Sequence, residues 1–300
     1  MQAMGSSVPV LMYHHISPSG GPYCVHPERF RQQLAFLRDA GITPLTGPQF
    51  VAFARGEYQP DGRAVLLTFD DGWLDNWVHA LPILEEYEIP CVLFVISSWP
   101  GAGQPRERSS LSHWSSPSHE QAMACAGDQE KRDEVIMRWS ELIAAQDTGL
   151  VDLQCHSHSH GQWWNNSGDP AEEFAMDLER SVEELASRTG QAPVQYCWPR
   201  GKFTARMSNI VQDAGFLVQH STLRGANEFG RGRDHVVRRL NIENQPTEWF
   251  RRRISLYSRR GVARGLGWCH QELQRQRWRR SNGIRWKELG GLGSEPWRLV

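Results

Sequence analysis

Two adjacent carboxylates at the end of an apolar run constrain this chain more than any other feature of its sequence. Asp70 and Asp71 follow the apolar residues 64–69, and Gly72 comes directly after them. Such a run predicts a buried strand, and Asp-Gly predicts a turn at its end. The turn alone leaves Asp70 unexplained. Because two neighbouring carboxylates repel each other unless a cation or a proton neutralises one of them, the pair indicates a cation site.

A dense group of imidazoles follows a second apolar segment, residues 150–153. His156, His158 and His160 come directly after Cys155. Two neutral imidazoles four residues apart can converge on one metal ion, whereas His158 would point elsewhere on an extended segment and is not expected to be a ligand. A surface patch rich in His is the alternative. One Asp and two His leave open positions on a divalent metal ion, so these two segments together predict metal-assisted hydrolysis.

A third group of residues lies at 198–201. Trp198, Pro199, Arg200 and Gly201 follow a short apolar run. A strand followed by a Pro-Gly turn is one interpretation. In the other, Trp198 forms the wall of a saccharide groove, and the planar guanidinium of Arg200 binds a carboxylate.

Strand and helix patterns alternate along the chain, which predicts an α/β fold with a parallel sheet or barrel covered by helices. The first strand, residues 8–13, ends at His14 and His15, where active-site residues gather in such folds. Residues 97–133 are rich in Ser, Gly, Pro and charge and predict a long loop or insertion. Further strands are predicted at 91–96, 150–154, 194–198 and 216–219, and helices at 27–41, 50–53, 77–87, 132–146, 172–188 and 207–214.

The charge of the chain is distributed unevenly, although its net value is −1. Residues 251–300 carry 13 Lys and Arg against 3 Asp and Glu, a balance of +10, and the remainder carries 20 against 31, a balance of −11. Arg and Trp alternate in the basic segment. This composition suits contact with an anionic membrane surface. Nucleic-acid binding, or a terminal helix packed on the acidic body, are the alternatives.

The cysteines and the first residues indicate a cytoplasmic protein. Six Cys are scattered without a C-x-x-C pair, which favours a reducing compartment. Residues 1–9 contain neither a positive nor an apolar signal region, which predicts that no secretory leader is present. With the basic tail, we expect a cytoplasmic protein that lies peripherally at the inner face of the membrane.

These residues resemble the polysaccharide deacetylases of the NodB-homology type, carbohydrate esterase family 4. Residues 68–72 are identical to the family's first motif, and 156–160 fit its second, H-[ST]-x-x-H. Residues 198–201 resemble the third, and 9–14 are similar to the start of the poly-N-acetylglucosamine deacetylases. The resemblance implies an α/β fold, a deformed (β/α) barrel of about seven strands, with the site at the carboxyl ends of the strands.

The resemblance also implies residue roles. Asp70 would be the general base, and Asp71, His156 and His160 would hold the metal, which is most often Zn²⁺, although Co²⁺ or Ni²⁺ can occupy such sites. The family's late Leu-x-His motif, which supplies the acid, has no clean match, and the candidates are His220, His235 and His14. Arg200 stands where an aromatic residue is common and is a candidate for the Arg that orients the catalytic Asp.

The expected function is that of a metal-dependent N-deacetylase. The resemblance covers residues 8–245, which are the predicted catalytic domain, and leaves 246–300 as a basic Arg- and Trp-rich extension. The expected substrate is a glycan or glycolipid that contains N-acetylhexosamine, such as a cell-envelope polysaccharide or a lipopolysaccharide precursor. A hydrolase of a non-sugar amide or imide, and a glycan- or lipid-binding module without catalysis, are the alternatives.

Overall fold

Seven short apolar runs form the parallel strands at the centre of the molecule. The structure is a computed structural model that describes residues 7–111, 114, 116–163, 169–228 and 236–259. Strand β2 is buried along its whole length, as expected where helices cover both faces of a parallel sheet. The seven strands are β1 (Val10–Tyr13), β2 (Ala64–Asp71), β3 (Cys91–Val95), β4 (Val151–Cys155), β5 (Gln195–Cys197), β6 (Val218–His220) and β7 (Leu240–Asn241).

The sheet curls until its two edges meet. Its strands lie in the order β6-β5-β4-β3-β2-β1-β7, and every neighbouring pair is parallel. A single parallel bridge joins His220 of β6 to Val237, which lies just before β7. The Val237 amide donates to the Gln219 carbonyl at 2.7 Å, and the Ser221 amide donates to the Val237 carbonyl at 2.9 Å. This curled seven-stranded sheet confirms the predicted deformed (β/α) barrel.

Helices cover the outside of this barrel, and local sequence signals start several of them. Helix α2 begins with a capping box between Thr46 and Gln49, and α1, α3 and α6 carry Pro in the first turn. A π-helical turn, Asn76–Ala80, precedes α3. The helices are α1 (Pro27–Asp39), α2 (Gly47–Arg55), α3 (Leu81–Tyr87), α4 (His119–Gly127), α5 (Trp139–Asp147), α6 (Pro170–Thr189), α7 (Ala205–Asp213) and α8 (Thr247–Tyr257).

Short strand pairs complete the described backbone. Thr43–Pro44 lies beside the start of β2. The other pairs are Ser7–Val8 with Asn227–Glu228, which is antiparallel, and His15–Ile16 with Cys24–Val25, which is parallel.

The segment predicted as a long loop, residues 97–133, contains helix α4 and is fixed to the barrel. A capping box between Ser118 and Gln121 starts α4. Arg106 forms a two-bond ion pair with the fully buried Glu141 of α5, at 2.7 Å for each bond. The helix predicted at 132–146 is a 3₁₀ turn, Arg132–Glu134, followed by α5. This segment is therefore an insertion with structure of its own.

Helix α8 lies within the predicted basic extension, yet it packs into the main core. Phe250, Ile254 and Tyr257 are completely buried, and Phe250 meets Phe36 of α1 edge to face at 6.0 Å. Residues 260–300, which hold most of the predicted Arg- and Trp-rich tail, lie outside the described residues. Among the helices that the structure describes, none combines the length and the apolar character that crossing a bilayer demands.

Candidate active site

Side chains from the first two sequence motifs converge at the carboxyl ends of the parallel strands. Asp71 is the last residue of β2, and His156 directly follows β4. Asp71 Oδ1 lies 3.3 Å from His156 Nε2 and 3.9 Å from His160 Nε2. The potential ligand atoms of all three residues lie within 4.8 Å of one another. Parallel strands present their carboxyl ends at one side of a barrel, so segments 85 positions apart in the chain meet there.

Unusual backbone conformations aim these side chains inward. Asp71, Ser157 and His160 have φ values of 78°, 71° and 55°, in the left-handed region that residues other than glycine rarely adopt. Asp177 of α6 holds the histidine loop by accepting the two amide N–H groups before His160, at 2.8 and 3.0 Å. His158 points away from the ligand atoms, as expected, and its Nδ1 lies 2.9 Å from Ser97 Oγ.

The surroundings of these three residues fit a divalent metal ion. The Nδ1–H of His156 donates to the Cys197 carbonyl at 2.8 Å, which leaves Nε2 as the ligand atom. Trp73 Nε1–H donates to Asp71 Oδ2 at 3.0 Å, so Oδ1 is the oxygen that faces the imidazoles. Ligands fixed by outer hydrogen bonds in this way are typical of metal sites.

The charges in the pocket favour a cation. Burial raises the pKa of Asp71, but the neighbouring imidazoles, His156 first, outweigh it and hold the pKa far below its ordinary value. Burial lowers the pKa of His160 to about 4, which keeps that imidazole neutral and able to bind a metal. For His156, burial again lowers the pKa, yet Cys197 and Asp71 outweigh it and raise the pKa above its ordinary value. A positive charge at the His156 imidazole is therefore favoured in this pocket.

Asp70 is held apart from this group by a buried arginine. Asp70 is 2% exposed and Arg239 is 1% exposed. The guanidinium donates to both carboxylate oxygens, at 2.7 and 2.8 Å. Burial raises the pKa of Asp70, but Arg239 outweighs it and keeps the pKa below its ordinary value. Asp70 is thus an ionised, rigidly oriented carboxylate beside the trio of Asp71, His156 and His160.

A second trio, Asp70, His156 and Cys197, also places its ligand atoms within 4.8 Å of one another. It suits a metal ion less well. Arg239 occupies both oxygens of Asp70 and lies 3.0 Å from Cys197 Sγ. Burial raises the pKa of the Cys197 thiol, which disfavours the thiolate that a metal needs. The trio of Asp71, His156 and His160 is therefore the better metal site.

Comparison of the sequence with known protein families identifies the family of this chain. A sequence profile described as "Polysaccharide deacetylase" matches residues 57–218, more than half of the chain. The chain belongs to the polysaccharide deacetylase family.

Individual deacetylases resemble the chain over most of its length. It is 23% identical over 257 residues to the poly-beta-1,6-N-acetyl-D-glucosamine N-deacetylase of Escherichia coli K12, a match that covers 77% of this chain and 35% of that protein. The chain spans about a third of the length of the curated relatives it matches.

Solved deacetylase structures share the fold. IcaB from Ammonifex degensii superposes with a TM-score of 0.67 at 23% identity, covering 85% of this chain and 98% of that one. The Streptococcus pyogenes deacetylase PplD in complex with acetate gives a TM-score of 0.64 at 20% identity, covering 83% and 98%. At these identities the likeness shows the barrel alone.

The arginine that orients Asp70 is Arg239, and the expectation that Arg200 does so is wrong. Arg200 is exposed in a 3₁₀ turn with a φ of 56°, and the fork that contacts Asp70 belongs to Arg239. Arg200 lies close enough to His160 that its charge helps to lower the pKa of that imidazole. The sequence signal for Arg239 is weak, because Arg238 and Arg239 together look like surface charge.

Of the three candidates for the acid, His14 lies in the site. Its Nε2 is 3.9 Å from Asp70 Oδ2, and its side chain is 15% exposed. His220 is completely buried, donates from Nε2–H to Gln195 Oε1 at 2.9 Å and packs on Phe94, so the expectation that it reaches substrate is wrong. His235 lies outside the described residues.

Trp198 is a core residue, and the expectation that it lines a saccharide groove is wrong. It is 0% exposed, stacks on Phe174 and Phe203 at 5.2 and 4.8 Å, and donates from Nε1–H to Gln219 Oε1 at 3.0 Å. Strong aromatic character in a sequence motif does not by itself place the ring at the surface.

The Pro199–Gly201 turn also has a structural role. Pro199 is buried. Gly201 has a φ of 66°, and a Cβ at this position would lie 2.0 Å from Thr222 Oγ1. The turn interpretation of 198–201 is therefore the one that the structure supports.

Proposed function

We propose that this protein is a metal-dependent hydrolase that removes acetyl groups from the N-acetylated amino sugars of a glycan or glycolipid. One observation carries the proposal. Asp71 converges with two imidazoles, while the adjacent Asp70 is turned into the same pocket and fixed by Arg239. The two neighbouring carboxylates would thus have separate tasks. Asp71 would bind the metal ion, and Asp70 would accept a proton. Family membership and the printed name of the Escherichia coli relative support an N-acetylglucosamine polymer as substrate.

The residues of the site divide the chemistry between them. Asp71, His156 and His160 would hold Zn²⁺, or Co²⁺ or Ni²⁺, which when bound polarises an acetamide carbonyl and lowers the pKa of a water molecule. Asp70 accepts a proton from that water as its oxygen attacks the carbonyl carbon. Burial lowers the pKa of His14, so this imidazole starts neutral. It takes up that proton from Asp70, 3.9 Å away, and gives it to the nitrogen as the C–N bond breaks. Acetate and a free amino sugar are the products.

Acetate release and metal content together test this assignment. We expect Asp70→Asn to keep its metal and to lose activity by about 10²- to 10⁴-fold, the usual contribution of a general base. His156→Ala should lose the metal itself. His158→Ala is the matched control, because this imidazole belongs to the same loop but faces Ser97.

Two outcomes would contradict the proposal. Full turnover in Asp70→Asn would show that Asp70 is not the general base. Loss of metal in His158→Ala to the same degree as in His156→Ala would show that the ligand set is different. Release of another carboxylic acid instead of acetate would favour the amide or imide hydrolase.

Contact of the basic tail with an anionic membrane stays a prediction, which co-sedimentation with anionic liposomes at low salt would check.

A further inference from the structure

Tyr23 lies exposed beside the active site, and the mechanism above gives it no task. It is 42% exposed, and no other Tyr, Trp or Phe in the part of the chain that the structure describes is as exposed. Tyr23 belongs to the loop between β1 and α1, and its φ of 63° lies in the left-handed region. The His15 amide donates to its carbonyl at 3.1 Å and holds this backbone in place. Such strain collects where a side chain has to be aimed.

The ring of Tyr23 rests on two imidazoles at the mouth of the pocket. Its centroid lies 4.9 Å from that of His14 and 4.8 Å from that of His119. His14 in turn lies 3.9 Å from Asp70. One imidazole therefore separates the exposed tyrosine from the carboxylate that would take the proton.

A chain of hydrogen bonds fixes the second of these imidazoles. Asp75 Oδ2 lies 2.6 Å from His15 Nδ1, and His15 Nε2 lies 3.0 Å from His119 Nδ1. Asp75 and His15 are buried, and His15 packs on Trp73 with 4.6 Å between ring centroids. The chain joins the end of β1, the turn after β2 and the first residue of α4, so the insertion is fixed to the site at this point. Tyr23 thus rests on a support that is ordered before any ligand binds.

We propose that Tyr23 is the platform for a sugar residue next to the one that loses its acetyl group. This inference rests on the proposed function and names its substrate more closely, as an oligosaccharide of two or more hexosamine residues. A pyranose ring presents a face of C–H groups that packs on an aromatic ring, and sites for organic ligands are commonly lined by such rings with a few placed polar groups. A preordered support reduces the entropy lost on binding. With the acetamide at Asp70, the neighbouring sugar extends over His14 to Tyr23.

The test compares substrates of increasing length. Acetate release is measured for the methyl glycoside of N-acetylglucosamine and for its β-1,6-linked dimer and tetramer, with wild type, Tyr23→Ala and Tyr23→Phe. Met176→Ala is the control, because Met176 is a similarly exposed apolar side chain on α6. We expect kcat/KM of the wild type to rise with chain length. In Tyr23→Ala that rise should shrink roughly 3- to 10-fold through KM, the equivalent of one aromatic contact, with the monosaccharide unaffected.

Further outcomes decide between the possibilities. Tyr23→Phe should keep most of the length dependence, since the ring remains. Equal loss on monosaccharide and tetramer in Tyr23→Ala, or no loss on either, would overturn the platform while leaving the proposed function intact. If the wild type releases no acetate from any of these substrates, the proposed function fails. Binding of the tetramer is then decisive, and equal dissociation constants for wild type and Tyr23→Ala would overturn the platform as well.

Discussion

Removal of the Arg239 guanidinium should reveal how strongly the barrel depends on the Arg239–Asp70 pair. In Arg239→Met the side chain keeps a similar length but loses every donor. Asp70 then remains buried without its two bonds, which costs about 3–5 kcal/mol for an ion pair of this kind. The Ser221 carbonyl also loses the Nε–H donor at 2.9 Å, which adds roughly 1 kcal/mol. We therefore expect the free energy of unfolding to fall by about 4–6 kcal/mol.

A double-mutant cycle separates the pair from the loss of packing. Urea unfolding is followed by far-UV circular dichroism in the presence of a chelator, so that a metal ion does not compensate the charge. We expect Asp70→Asn/Arg239→Met to be more stable than the sum of the two single changes predicts, by about 2 kcal/mol or more. Arg239→Lys, which keeps the charge but not the fork, should be intermediate. A loss below about 1 kcal/mol in Arg239→Met, or additivity within about 0.5 kcal/mol, would refute the reasoning.

Two further predictions concern residues that the structure moves from the site into the core. Trp198→Ala should lower the free energy of unfolding by about 3–5 kcal/mol in urea titrations, since it leaves a cavity beside Phe174; unchanged stability with a raised KM would instead place the ring in the groove. Burial, and then the charge of Arg239, lowers the pKa of His220 well below its ordinary value. Below pH about 6.5, His220 therefore binds a proton in the unfolded chain but not in the folded barrel. Its contribution lowers the free energy of unfolding by up to about 1.4 kcal/mol for each pH unit of decrease. Between pH 7 and 5.5, His220→Met should therefore lose about 1.3 kcal/mol less of its free energy of unfolding than the wild type does, and an equal loss would contradict the prediction.

The convergence of Asp71, His156 and His160 could be predicted from the sequence because each motif is local and the fold brings the motifs together. A run of buried residues fixes where β2 ends, and parallel pairing then places the end of β4 beside it. The spacing of His156 and His160 completes the trio. Nothing in this prediction depends on side chains that pack from a distance.

Arg239 and Tyr23 could not be predicted in the same way. Arg239 is separated from Asp70 by 169 positions, and only closure of the barrel brings the two together. The position of Tyr23 depends on its contact with His119. His119 belongs to helix α4, which the composition of residues 97–133 did not indicate. The capping box at Ser118 is the local signal that would have revealed that helix. The prediction for Trp198 is wrong for the opposite reason. Its local motif suggests a surface residue, whereas aromatic residues from other parts of the chain enclose the ring.

The closing bridge of the barrel has a consequence for how activity appears during folding. Arg239 comes two residues after Val237, which forms a bridge between the two edges of the sheet. Asp71, His156 and His160 all precede this last segment in the chain. Until that segment docks, Asp70 has no guanidinium to direct it. If the proposed function holds, a barrel without its last strand would keep the three candidate ligands but lack an oriented base, so turnover would report that the last strand is in place.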